Sequence, residues 1–422
     1  MKILYVSQYF PPEMGAPAAR AGELALHWAQ TGHEVTVLTG FPNHPTGVVP
    51  PEYRRRFRRL STREDISGVK LVRTWLLPLP NRRTHERMLN YGSFCISSAV
   101  TGLFVSDPDI VIATSPQLLV GLSGWWLARW KRVPFVFEVR DLWPESLAAV
   151  GMGDSNSLLH RSLARIAGFL YENSDHVVVV TRAFEEYLTE HWQVPPEKIS
   201  VVENGVETDI FSPNSSHGDL RRKLSAEGKF LVCYIGTMGM AHALDTLVEA
   251  AAKLQTAAPS VVLLLVGEGA EKERIIGSAR SRGLKNMIFV DQQPREKIPA
   301  YICASDACLV LLKNTEIFKT VIPTKMLEFM SCARPVILGV DGQAREIVNE
   351  ADSGIVIEPE NSADLAKAIS RLAANSSLCD LLGRNGRQYV LKHFSRQEKA
   401  ATYVRVLEEL LSGTVKRQAT AA

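Results

Sequence analysis

The stretch 201–213, VVENGVETDIFSP, divides this chain of 422 residues into two halves that repeat one pattern of strands and helices. It is rich in turn-forming residues, with Asn204-Gly205 near its start and Pro213 at its end. A chain of this length is too long for one ordinary core and suits two domains of about 200 residues each. We therefore place a linker here and expect domains at 1–205 and 206–394.

On both sides of this linker, short runs rich in Val, Ile, Leu and Phe alternate with segments of helical periodicity. Before it, the predicted strands are 2–7, 34–39, 69–73, 109–113, 134–138 and 176–181, and the predicted helices are 18–31, 91–104, 118–130, 157–173 and 183–191. After it, the predicted strands are 230–235, 261–266, 287–290, 307–312, 336–338 and 354–357, and the predicted helices are 244–255, 271–282, 324–330, 362–373 and 377–391. Such alternation predicts a parallel, doubly wound α/β sheet in each half. A closing helix is predicted at 397–411.

The composition indicates an ordinary globular protein, with 46% hydrophobic and 22% charged residues. A net charge of +3 is too small to indicate a nucleic-acid partner. The six cysteines form no Cys-x-x-Cys pair and lie mostly in apolar runs, so we expect reduced core residues of a cytoplasmic protein. Since no apolar run reaches 18 residues, we expect any membrane contact to be peripheral.

Unusual residues follow two predicted strands of the first half. The segment from Gly15 to Arg20, GAPAAR, opens a helix, where a glycine allows close approach of a ligand and free N–H groups attract an anion. The alternative is a flexible loop. Glu138, Arg140 and Asp141 follow the strand 134–138 and are costly to bury unless they face a ligand or pair with each other. Asp141 could orient or deprotonate an acceptor hydroxyl; the alternative is a pair that holds the loop.

Two glycine loops occur in the second half, each between a strand and a helix. Gly236-Thr237-Met238-Gly239 could hold phosphate oxygens with its backbone N–H groups, although a tight turn is the alternative. Gly267-Glu268-Gly269 resembles the start of a dinucleotide fingerprint, but no third glycine arrives in register. We interpret this second loop as a turn beside a nucleotide, with Glu268 near it.

The segment 321–337, VIPTKMLEFMSCARPVI, combines a loop, a helix start and a charge. Pro323 and Thr324 suit a loop followed by a helix cap, which leaves N–H groups free for phosphate, and Lys325 adds positive charge. Glu328 lies one helical turn further and suits a grip on ribose hydroxyls. The alternative for Lys325 and Glu328 is an ordinary surface ion pair.

Taken together, these residues resemble the retaining glycosyltransferases of family 4, which have the GT-B fold of two Rossmann-like domains facing across a cleft. The resemblance rests on four stretches, which span nearly the whole chain: YFPPEMGAPAAR with GHEVTVLT, ENGVETDIFSP, YIGTMG with LDTLVEAA, and VIPTKMLEFMSCARPVI. The motif RDLWPES and the block around Lys325 look most like bacterial enzymes that assemble surface polysaccharides, in particular the N-acetylfucosaminyltransferase-like subgroup.

The resemblance implies roles for the two halves. The first half would bind the acceptor, and the second would bind the nucleotide sugar. Gly15 and Arg20 match the loop that faces phosphates and acceptor, and Asp141 matches the position beside the donor sugar. Glu138 and Arg140 would then contact the acceptor. The final helix, 395–412, would pack back on the first half.

In the second half, Gly236 to Gly239 match the pyrophosphate loop, and Glu328 matches the second, ribose-binding glutamate of the family motif Glu-x7-Glu. The first glutamate of that motif, which normally contacts the sugar, is replaced by Thr320. A basic residue that many relatives place after the pyrophosphate loop is also missing. We expect Lys325 and Arg20 to supply that charge, with His242 as a further candidate.

The resemblance implies no cofactor, and we expect no metal. Transfer places negative charge on a leaving diphosphate, which helix N-termini and Lys325 would stabilise. The Asp-x-Asp sequence, Asp107-Pro108-Asp109, precedes a strand, away from the expected site, and we interpret it as a turn.

A basic segment spans residues 54–87, with eleven Lys or Arg and three Asp or Glu. It includes Arg54, Arg55, Arg56, Arg58 and Arg59, followed by Arg82, Arg83 and Arg87. With the apolar helices 91–104 and 118–130, which carry Trp125, Trp126 and Trp130, it predicts docking on an anionic membrane surface. The alternative is a solvated loop beside buried helices.

We therefore expect a metal-independent glycosyltransferase at the inner face of a bacterial membrane. Its donor would be a UDP-sugar, with a GDP-sugar as the alternative and fucosamine-type sugars as candidates. Its acceptor would be a polyprenyl-diphosphate-linked saccharide. One alternative is a sugar-nucleotide epimerase of the same fold, and a second is a non-catalytic partner subunit. A third is an NAD oxidoreductase, although the incomplete glycine fingerprint counts against it.

Overall fold

A computed structural model describes residues 1–44, 46–80, 83–146, 157–214 and 218–420. The chain forms two compact units. Unit 1 comprises Met1–Asn204 and Arg396–Ala422, and unit 2 comprises Gly205–Ser395. The terminal segment thus belongs to the same unit as the amino-terminal half.

Unit 1 is an eight-stranded sheet flanked by helices. In chain order it contains β1 (Lys2–Val6), α1 (Ala16–Gln30), β2 (Glu34–Gly40), α2 (Pro51–Phe57), β3 (Ser61–Ile66), β4 (Val69–Thr74), α3 (Thr84–Gly102), β5 (Ile110–Thr114), α4 (Val120–Lys131), β6 (Phe135–Val139), α5 (Leu158–Asn173), β7 (His176–Val179), α6 (Arg182–Trp192) and β8 (Ile199–Val201). The strand order is β3-β4-β2-β1-β5-β6-β7-β8. All neighbours pair in parallel except β3 and β4.

Unit 2 is a six-stranded parallel sheet with the order β11-β10-β9-β12-β13-β14. It contains α7 (Leu220–Lys223), β9 (Phe230–Ile235), α8 (Leu244–Ala257), β10 (Val261–Val266), α9 (Lys272–Ser281), β11 (Met287–Val290), α10 (Ile298–Ala304), β12 (Ala307–Leu311), α11 (Glu316–Lys319), α12 (Thr324–Ser331), β13 (Val336–Gly339), α13 (Gln343–Glu350), β14 (Gly354–Val356), α14 (Ser362–Ala373) and α15 (Ser376–His393). Every residue of β10, VVLLLV, is buried, since helices cover both faces. The prediction of two doubly wound α/β sheets is confirmed.

The strand β4 corresponds to the predicted strand 69–73, whereas its hairpin partner β3 and the short helix α2 were not predicted. The sequence of β3, STREDI, carries charges at three of six positions and is largely exposed, so it lacks the apolar run by which the other strands were recognised. Charged residues are typical of an edge strand, because they discourage pairing with another chain. The strand β8 was likewise not predicted; it is only three residues long and ends at Val201, the first residue of the predicted linker.

The last helix, α16 (Arg396–Thr420), packs on α1 of unit 1. The indole Nε1 of Trp28 donates to the Ala400 carbonyl at 3.2 Å, and the Tyr403 ring meets Trp28 edge-on at 5.2 Å. Tyr403 and Leu407 are fully buried here. The helix therefore completes a core that residues 1–204 alone would leave open. Among the described residues, no helix is both long and apolar enough to cross a bilayer.

We predict that Tyr403→Ala lowers the unfolding free energy by about 3–5 kcal/mol, because it opens a cavity beneath Trp28. Tyr403→Phe is the matched control: the buried Tyr403 hydroxyl has no hydrogen-bond partner among the described residues, so its removal should cost nothing. Urea unfolding of both variants measures the difference. Equal losses for Ala and Phe would contradict the packing role of the ring.

Candidate active site

Each sheet has one point at which successive strands are added on opposite sides. In unit 1 the chain runs from β1 to β2 on one side and later adds β5 on the other, and in unit 2 the same occurs around β9. Ligands of doubly wound sheets bind beside the carboxyl ends of strands at such points. The loops that follow β1, β6, β9 and β10 are therefore the places at which to compare the predicted residues.

A buried ion pair joins two of the predicted residues in unit 1. The Arg20 side chain donates from Nε and Nη2 to Glu138 Oε1, at 3.0 and 2.7 Å, and both side chains are essentially inaccessible. The Tyr5 hydroxyl donates to Glu138 Oε2 at 2.9 Å. Burial raises the pKa of the Glu138 carboxyl, but Arg20 and Arg140 outweigh that effect and hold it below its usual value. The pair is thus ionised and internally satisfied.

Arg20 also binds the end of the first half. Its guanidinium donates to the carbonyls of Val202 and Glu203 and to the Asn204 side chain, each at 3.0 Å. All five donors of a guanidinium can be used in this way, which leaves none for a ligand. The geometry does not support the predicted donor contact of Arg20 or the predicted acceptor contact of Glu138. The predicted alternative paired the charges of this loop with each other, whereas the partner of Glu138 in the structure is Arg20 of α1.

Arg140 and Asp141 lie differently. The Arg140 guanidinium donates to the carbonyls of Ala16 and Pro17, each at 3.2 Å, at the start of α1. Asp141 is half-buried, and within the described part of the chain its carboxylate makes no hydrogen bond or ion pair. Burial raises the pKa of Asp141 to about 6, against the opposing effect of Arg140. The Asp141 carboxylate is therefore available to contact a ligand.

Gly15 stands at the N-cap of α1 with φ of 124°, a conformation that favours glycine. It is exposed, and no side chain caps the helix. The arrangement leaves the first N–H groups of α1 facing outward, as the predicted anion-binding role requires.

The two glycine loops of unit 2 stack on each other. A side chain at Gly267 would place its Cβ 2.0 Å from the Gly236 carbonyl oxygen, and one at Gly269 would place it 2.3 Å from the Met238 carbonyl oxygen. The Met238 N–H donates to the Glu268 carbonyl at 2.8 Å. Only glycine permits this approach, which explains the second loop without a nucleotide.

This stacking changes the expected roles of several loop residues. Met238 is fully buried and its backbone bonds are used within unit 2, so it cannot contact a donor. The Glu268 carboxylate pairs with Lys272 at 2.5 Å, and Lys272 also pairs with Asp291. Thr237 is exposed, and Gly236 and Gly239 are half-exposed, so these three keep the position that a phosphate loop requires.

Lys325 lies beside this loop with its charge unpaired. Its Nζ is buried without a hydrogen-bond partner among the described residues and lies 4.2 Å from the centre of the Tyr234 ring. A side chain at Gly236 would meet Nζ at 3.6 Å, so the ammonium borders the loop directly. Burial lowers the pKa of Lys325 to about 7. A buried ammonium without a partner is costly, and an anion placed here would provide the missing interaction.

The start of α12 adds to this positive environment. Pro323, not Thr324, is the N-cap residue, and Thr324 is the first helical residue. Within the described chain the backbone N–H groups of Thr324 and Lys325 make no hydrogen bond. The helix N-terminus and Lys325 thus converge beside Gly236.

His242 cannot supply the charge for which it was considered. Burial, and then repulsion from Lys325, lowers its pKa to about 3, so the imidazole is neutral at physiological pH. Its Nδ1 lies 3.4 Å from the Gly239 carbonyl oxygen. His242 can therefore shape the loop but not neutralise a diphosphate.

Glu328 is held by a residue that the sequence patterns did not reveal. Its Oε1 accepts from Arg295 Nη1 at 3.0 Å, and the Arg295 guanidinium also stacks over Phe211 at 5.0 Å. Arg295 follows β11, so its position after a strand was the available signal. The predicted ribose contact of Glu328 remains a prediction, and Arg295 would orient its carboxylate.

Thr320 does not replace the missing glutamate chemically. Its hydroxyl donates to the Ile317 carbonyl at 2.7 Å and ends the short helix α11. Glu316, four residues earlier, is exposed and pairs with Lys319. No described contact directs the Thr320 hydroxyl or the Glu316 carboxylate toward Lys325.

The five predicted membrane arginines lie in and just after α2, and all are exposed. Arg54 donates to the Val49 carbonyl and Arg56 pairs with Glu64, whereas Arg55, Arg58 and Arg59 have no partner among the described residues. Arg82 lies outside the described residues. Of the predicted tryptophans, Trp126 and Trp130 are exposed, but Trp125 packs edge-on against Phe169 at 4.9 Å.

Asp107 and Asp109 lie at the amino end of β5, opposite to the loops described above. Asp109 accepts from the Lys2 N–H at 2.6 Å, and Asp107 pairs with Lys131 at 3.1 Å. Within the described ranges, no three acidic, histidine or cysteine side chains are grouped as metal ligands would be.

Two family models match the chain in succession. The glycosyl transferase 4-like domain matches residues 15–205, and the model of glycosyl transferases group 1 matches residues 217–389. The chain is a glycosyltransferase. The two matches correspond closely to the amino-terminal part of unit 1 and to unit 2.

Among its relatives, the glycosyltransferase is 26% identical over 398 residues to the Escherichia coli protein named "Putative colanic acid biosynthesis glycosyl transferase WcaI", covering 87% of this chain and 91% of the relative. The structure of sucrose-phosphate synthase from Thermosynechococcus elongatus is similar with a TM-score of 0.77 at 22% identity, covering 98% and 99% of the two chains. Anabaena HepE in complex with UDP and glucose gives a TM-score of 0.73 at 17% identity, covering 97% and 99%. These likenesses confirm the GT-B fold.

We predict that Arg20→Met lowers the unfolding free energy of the glycosyltransferase by about 3–5 kcal/mol, because it leaves the Glu138 carboxylate buried without its partner. The double variant Arg20→Met with Glu138→Gln should lose less, since the uncompensated charge is gone and the amide oxygen still accepts from Tyr5. Lys70→Met, which breaks the exposed pair with Glu34, is the control and should cost at most about 1 kcal/mol. If urea unfolding shows that the double variant loses the sum of what Arg20→Met and Glu138→Gln lose separately, this interpretation is contradicted.

Proposed function

We propose that this glycosyltransferase moves a sugar from a nucleoside diphosphate donor bound by unit 2 to an acceptor bound by unit 1. The observation that carries the proposal is the unpaired Lys325 ammonium beside Gly236, at the N-terminus of α12. A diphosphate supplies the negative charge that this buried cation lacks. Thr237 and Gly239 would offer the loop backbone, and Glu328, oriented by Arg295, would hold the ribose.

The same groups suit a reaction that needs no metal. Cleavage of the bond between sugar and phosphate leaves negative charge on the diphosphate, and donors fixed in advance stabilise that charge most effectively. Lys325 and the free N–H groups of α12 are such donors. Asp141, half-buried after β6, would contact the transferred sugar or the acceptor. Retention of configuration is proposed from the resemblance to family 4.

The identity of the substrates is proposed on similarity. Anabaena HepE binds UDP, which favours a UDP-sugar over a GDP-sugar as donor. The WcaI protein is named for colanic acid biosynthesis, which favours a role in bacterial surface polysaccharide synthesis. We infer a polyprenyl-diphosphate-linked saccharide as acceptor and a fucosamine-type sugar as one candidate for transfer, as in the O-antigen of lipopolysaccharide.

A thermal-shift panel of UDP, GDP and their sugars tests the donor, since a ligand that binds only the folded chain raises its melting temperature. The donor that stabilises the protein is then incubated with and without prenyl-diphosphate-linked saccharides. Transfer supports the proposal. Isomerisation of the donor alone would instead indicate an epimerase.

We predict that Lys325→Gln weakens binding of UDP by about 10–100-fold at pH 6.5, the loss expected for a hydrogen bond to a charged group. In the native protein Lys325 has a pKa near 7, and a bound diphosphate raises it. Binding is therefore strongest below pH 7 and weakens as the pH rises to 9, since the protein must then take up a proton. Isothermal titration calorimetry measures both effects.

The Lys325→Gln variant should lose this pH dependence between 7 and 9, whereas Lys285→Gln, at an exposed position of unit 2, should behave as the native protein. An affinity for UDP that is unchanged in Lys325→Gln would remove the observation on which the proposed function rests.

We also propose that unit 1 docks on anionic lipid. Arg55, Arg58 and Arg59 are exposed and unpaired among the described residues, and α3 and α4 expose a series of large apolar side chains. Those side chains are Leu89, Ile96, Val100 and Phe104 of α3 and its following turn, and Trp126 and Trp130 of α4. Apolar residues at a helical spacing with arginine nearby are typical of interfacial surfaces. Such docking would bring the enzyme to a lipid-linked acceptor.

We predict that changing Arg55, Arg58 and Arg59 together to Gln weakens binding to vesicles with anionic lipid about 100-fold at low salt, from roughly 1 kcal/mol per charge. Changing Arg280, Arg282 and Lys285 of unit 2 to Gln removes the same charge and is the control. Vesicle flotation measures both variants. Equal weakening by the two variants would show that only net charge matters.

A further inference from the structure

A chain of contacts in unit 1 joins Glu13, His44, Tyr9 and Tyr91, which lie in the loops after β1 and β2 and in α3. It begins at Glu13, in the loop after β1, whose Oε1 accepts from the N–H groups of Asn43 and His44 at 2.9 Å each. The His44 ring meets the Tyr9 ring edge-on at 5.1 Å, and the Tyr9 and Tyr91 hydroxyls lie 3.3 Å apart. The contacts thus join the loops after β1 and β2 to the first turns of α3.

Two further residues at this edge of the sheet, Arg140 and Asp141, follow β6. Burial raises the pKa of the Tyr91 hydroxyl, and the charge of Asp141 raises it as well. The neighbour of Asp141, Arg140, binds the carbonyls of Ala16 and Pro17, three and four residues after Glu13. We call the residues Glu13, His44, Tyr9, Tyr91 and Asp141 the acceptor ring. Its members all lie at the carboxyl ends of β1, β2 and β6 or at α3, beside the switch point of the sheet.

Below the acceptor ring, buried amide side chains bond to one another. Gln8 donates to Asn90 at 2.6 Å and accepts from Gln117 at 2.8 Å, and Asn90 donates to Asn43 at 3.1 Å. These amides are mutually satisfied and hold the loops in place. Because their bonding is complete, the groups left to recognise a ligand are those of the ring itself.

Within the ring, Glu13 has a free acceptor in a fixed position. Its Oε1 is held by two backbone N–H groups, while Oε2 has no hydrogen bond within the described residues. The carboxylate is half-buried, so a hydroxyl that reached it would be shielded from water. His44, whose N–H group holds Glu13, is itself exposed, and a carboxylate together with an aromatic ring matches the hydroxyls and apolar face of a sugar.

We propose that Glu13 accepts a hydrogen bond from a hydroxyl of the acceptor saccharide and sets its position for transfer. This inference rests on the proposed function and adds to it the residue in unit 1 that selects the acceptor. Glu13 and Asp141 would then have different roles: Glu13 orients the acceptor, and Asp141 lies nearer the reacting sugar.

The electrostatic surroundings give the role a pH signature. Burial raises the pKa of Glu13 to about 7, against the backbone N–H groups of Asn43 and His44 and the Arg73 guanidinium of β4, which lower it. Only the ionised form accepts at both oxygens. Positioning of the acceptor is therefore lost as the pH falls below about 7 and is complete above it.

Glu13→Gln is the test, because the amide oxygen can still accept from Asn43 and His44 while the charge is lost. Kinetics are measured with a panel of prenyl-diphosphate-linked saccharides at a saturating concentration of the donor that stabilises the protein. We expect kcat/KM for the acceptor to fall 10–100-fold, mainly through KM, and the affinity for UDP to stay within twofold. The rise of kcat/KM through pH 7 should disappear in this variant.

Two controls separate binding from folding. Glu52→Gln, at an exposed position of α2, should match the native enzyme, and Glu13→Ala should lower both kcat/KM and the melting temperature because it releases the loop 43–44. A Glu13→Gln enzyme with native kcat/KM and native pH profile overturns the role of Glu13 alone. No transfer by the native enzyme to any saccharide of the panel would instead contradict the proposed function.

Discussion

The buried ion pair between Arg20 and Glu138 is the interaction on which the organisation of unit 1 depends. It joins α1 to β6, and through the same guanidinium it fixes residues 202–204, where the chain is about to leave the unit. The returning chain is fixed on the same helix, since Arg396 pairs with Glu23 at 2.7 Å. A buried pair of this kind contributes little net stability over an apolar contact, but losing one partner is costly. Its contribution is to fix the positions of α1, β6 and residues 202–204 relative to one another.

That geometry connects the candidate ligand loop with both ends of the unit. The helix α1 begins at Gly15, beside the carbonyls bound by Arg140, and one and two turns later it presents Arg20 and Glu23. Lys399 of α16 binds Glu203 at 2.6 Å, so the two connections also bond to each other. A displacement of α1 would therefore reach residues 202–204 and 396–399 together. The helix that begins at the candidate ligand loop is thus also the helix that anchors both connections.

The regular part of the fold could be predicted from sequence, because buried parallel strands are continuous apolar runs and need no partner to be recognised. The edge strand β3 could not, since STREDI has the composition of a loop and becomes a strand only by pairing with β4. The residues of the candidate site also divide into a predictable and an unpredictable part. Positions after strands were predictable, and these led to Gly15, Asp141 and Lys325.

Partners in space were not predictable. Arg20 was expected to meet a phosphate because its segment resembles the phosphate-facing loop of the family, but Glu138, 118 residues away, satisfies it first. Glu328 was expected alone, and Arg295 binds it. Glu13 lies in the stretch YFPPEMGAPAAR, which carries part of the family resemblance, but its position relative to residues 43 and 44 emerges only from their contacts. A charged residue in a motif can thus be predicted to be important, whereas its role depends on which opposite charge the fold brings near.

Lys325 shows why an unpaired charge is more informative than a paired one. Several other buried cations, among them Arg20, Arg73 and Lys272, have carboxylates beside them, which recovers part of the cost of removing them from water. The Nζ of Lys325 instead lies over the face of Tyr234, and Gly236 packs so closely that no side chain of that residue intervenes. The lowered pKa of Lys325 reflects the cost of burying its ammonium without a carboxylate partner. Burial of this unpaired cation makes folding less favourable. An anion that binds here supplies the missing interaction, and the free energy of that interaction then contributes to binding. The anion that we propose here is the diphosphate of the donor, which the N–H groups of the loop after β9 and of the start of α12 would bind.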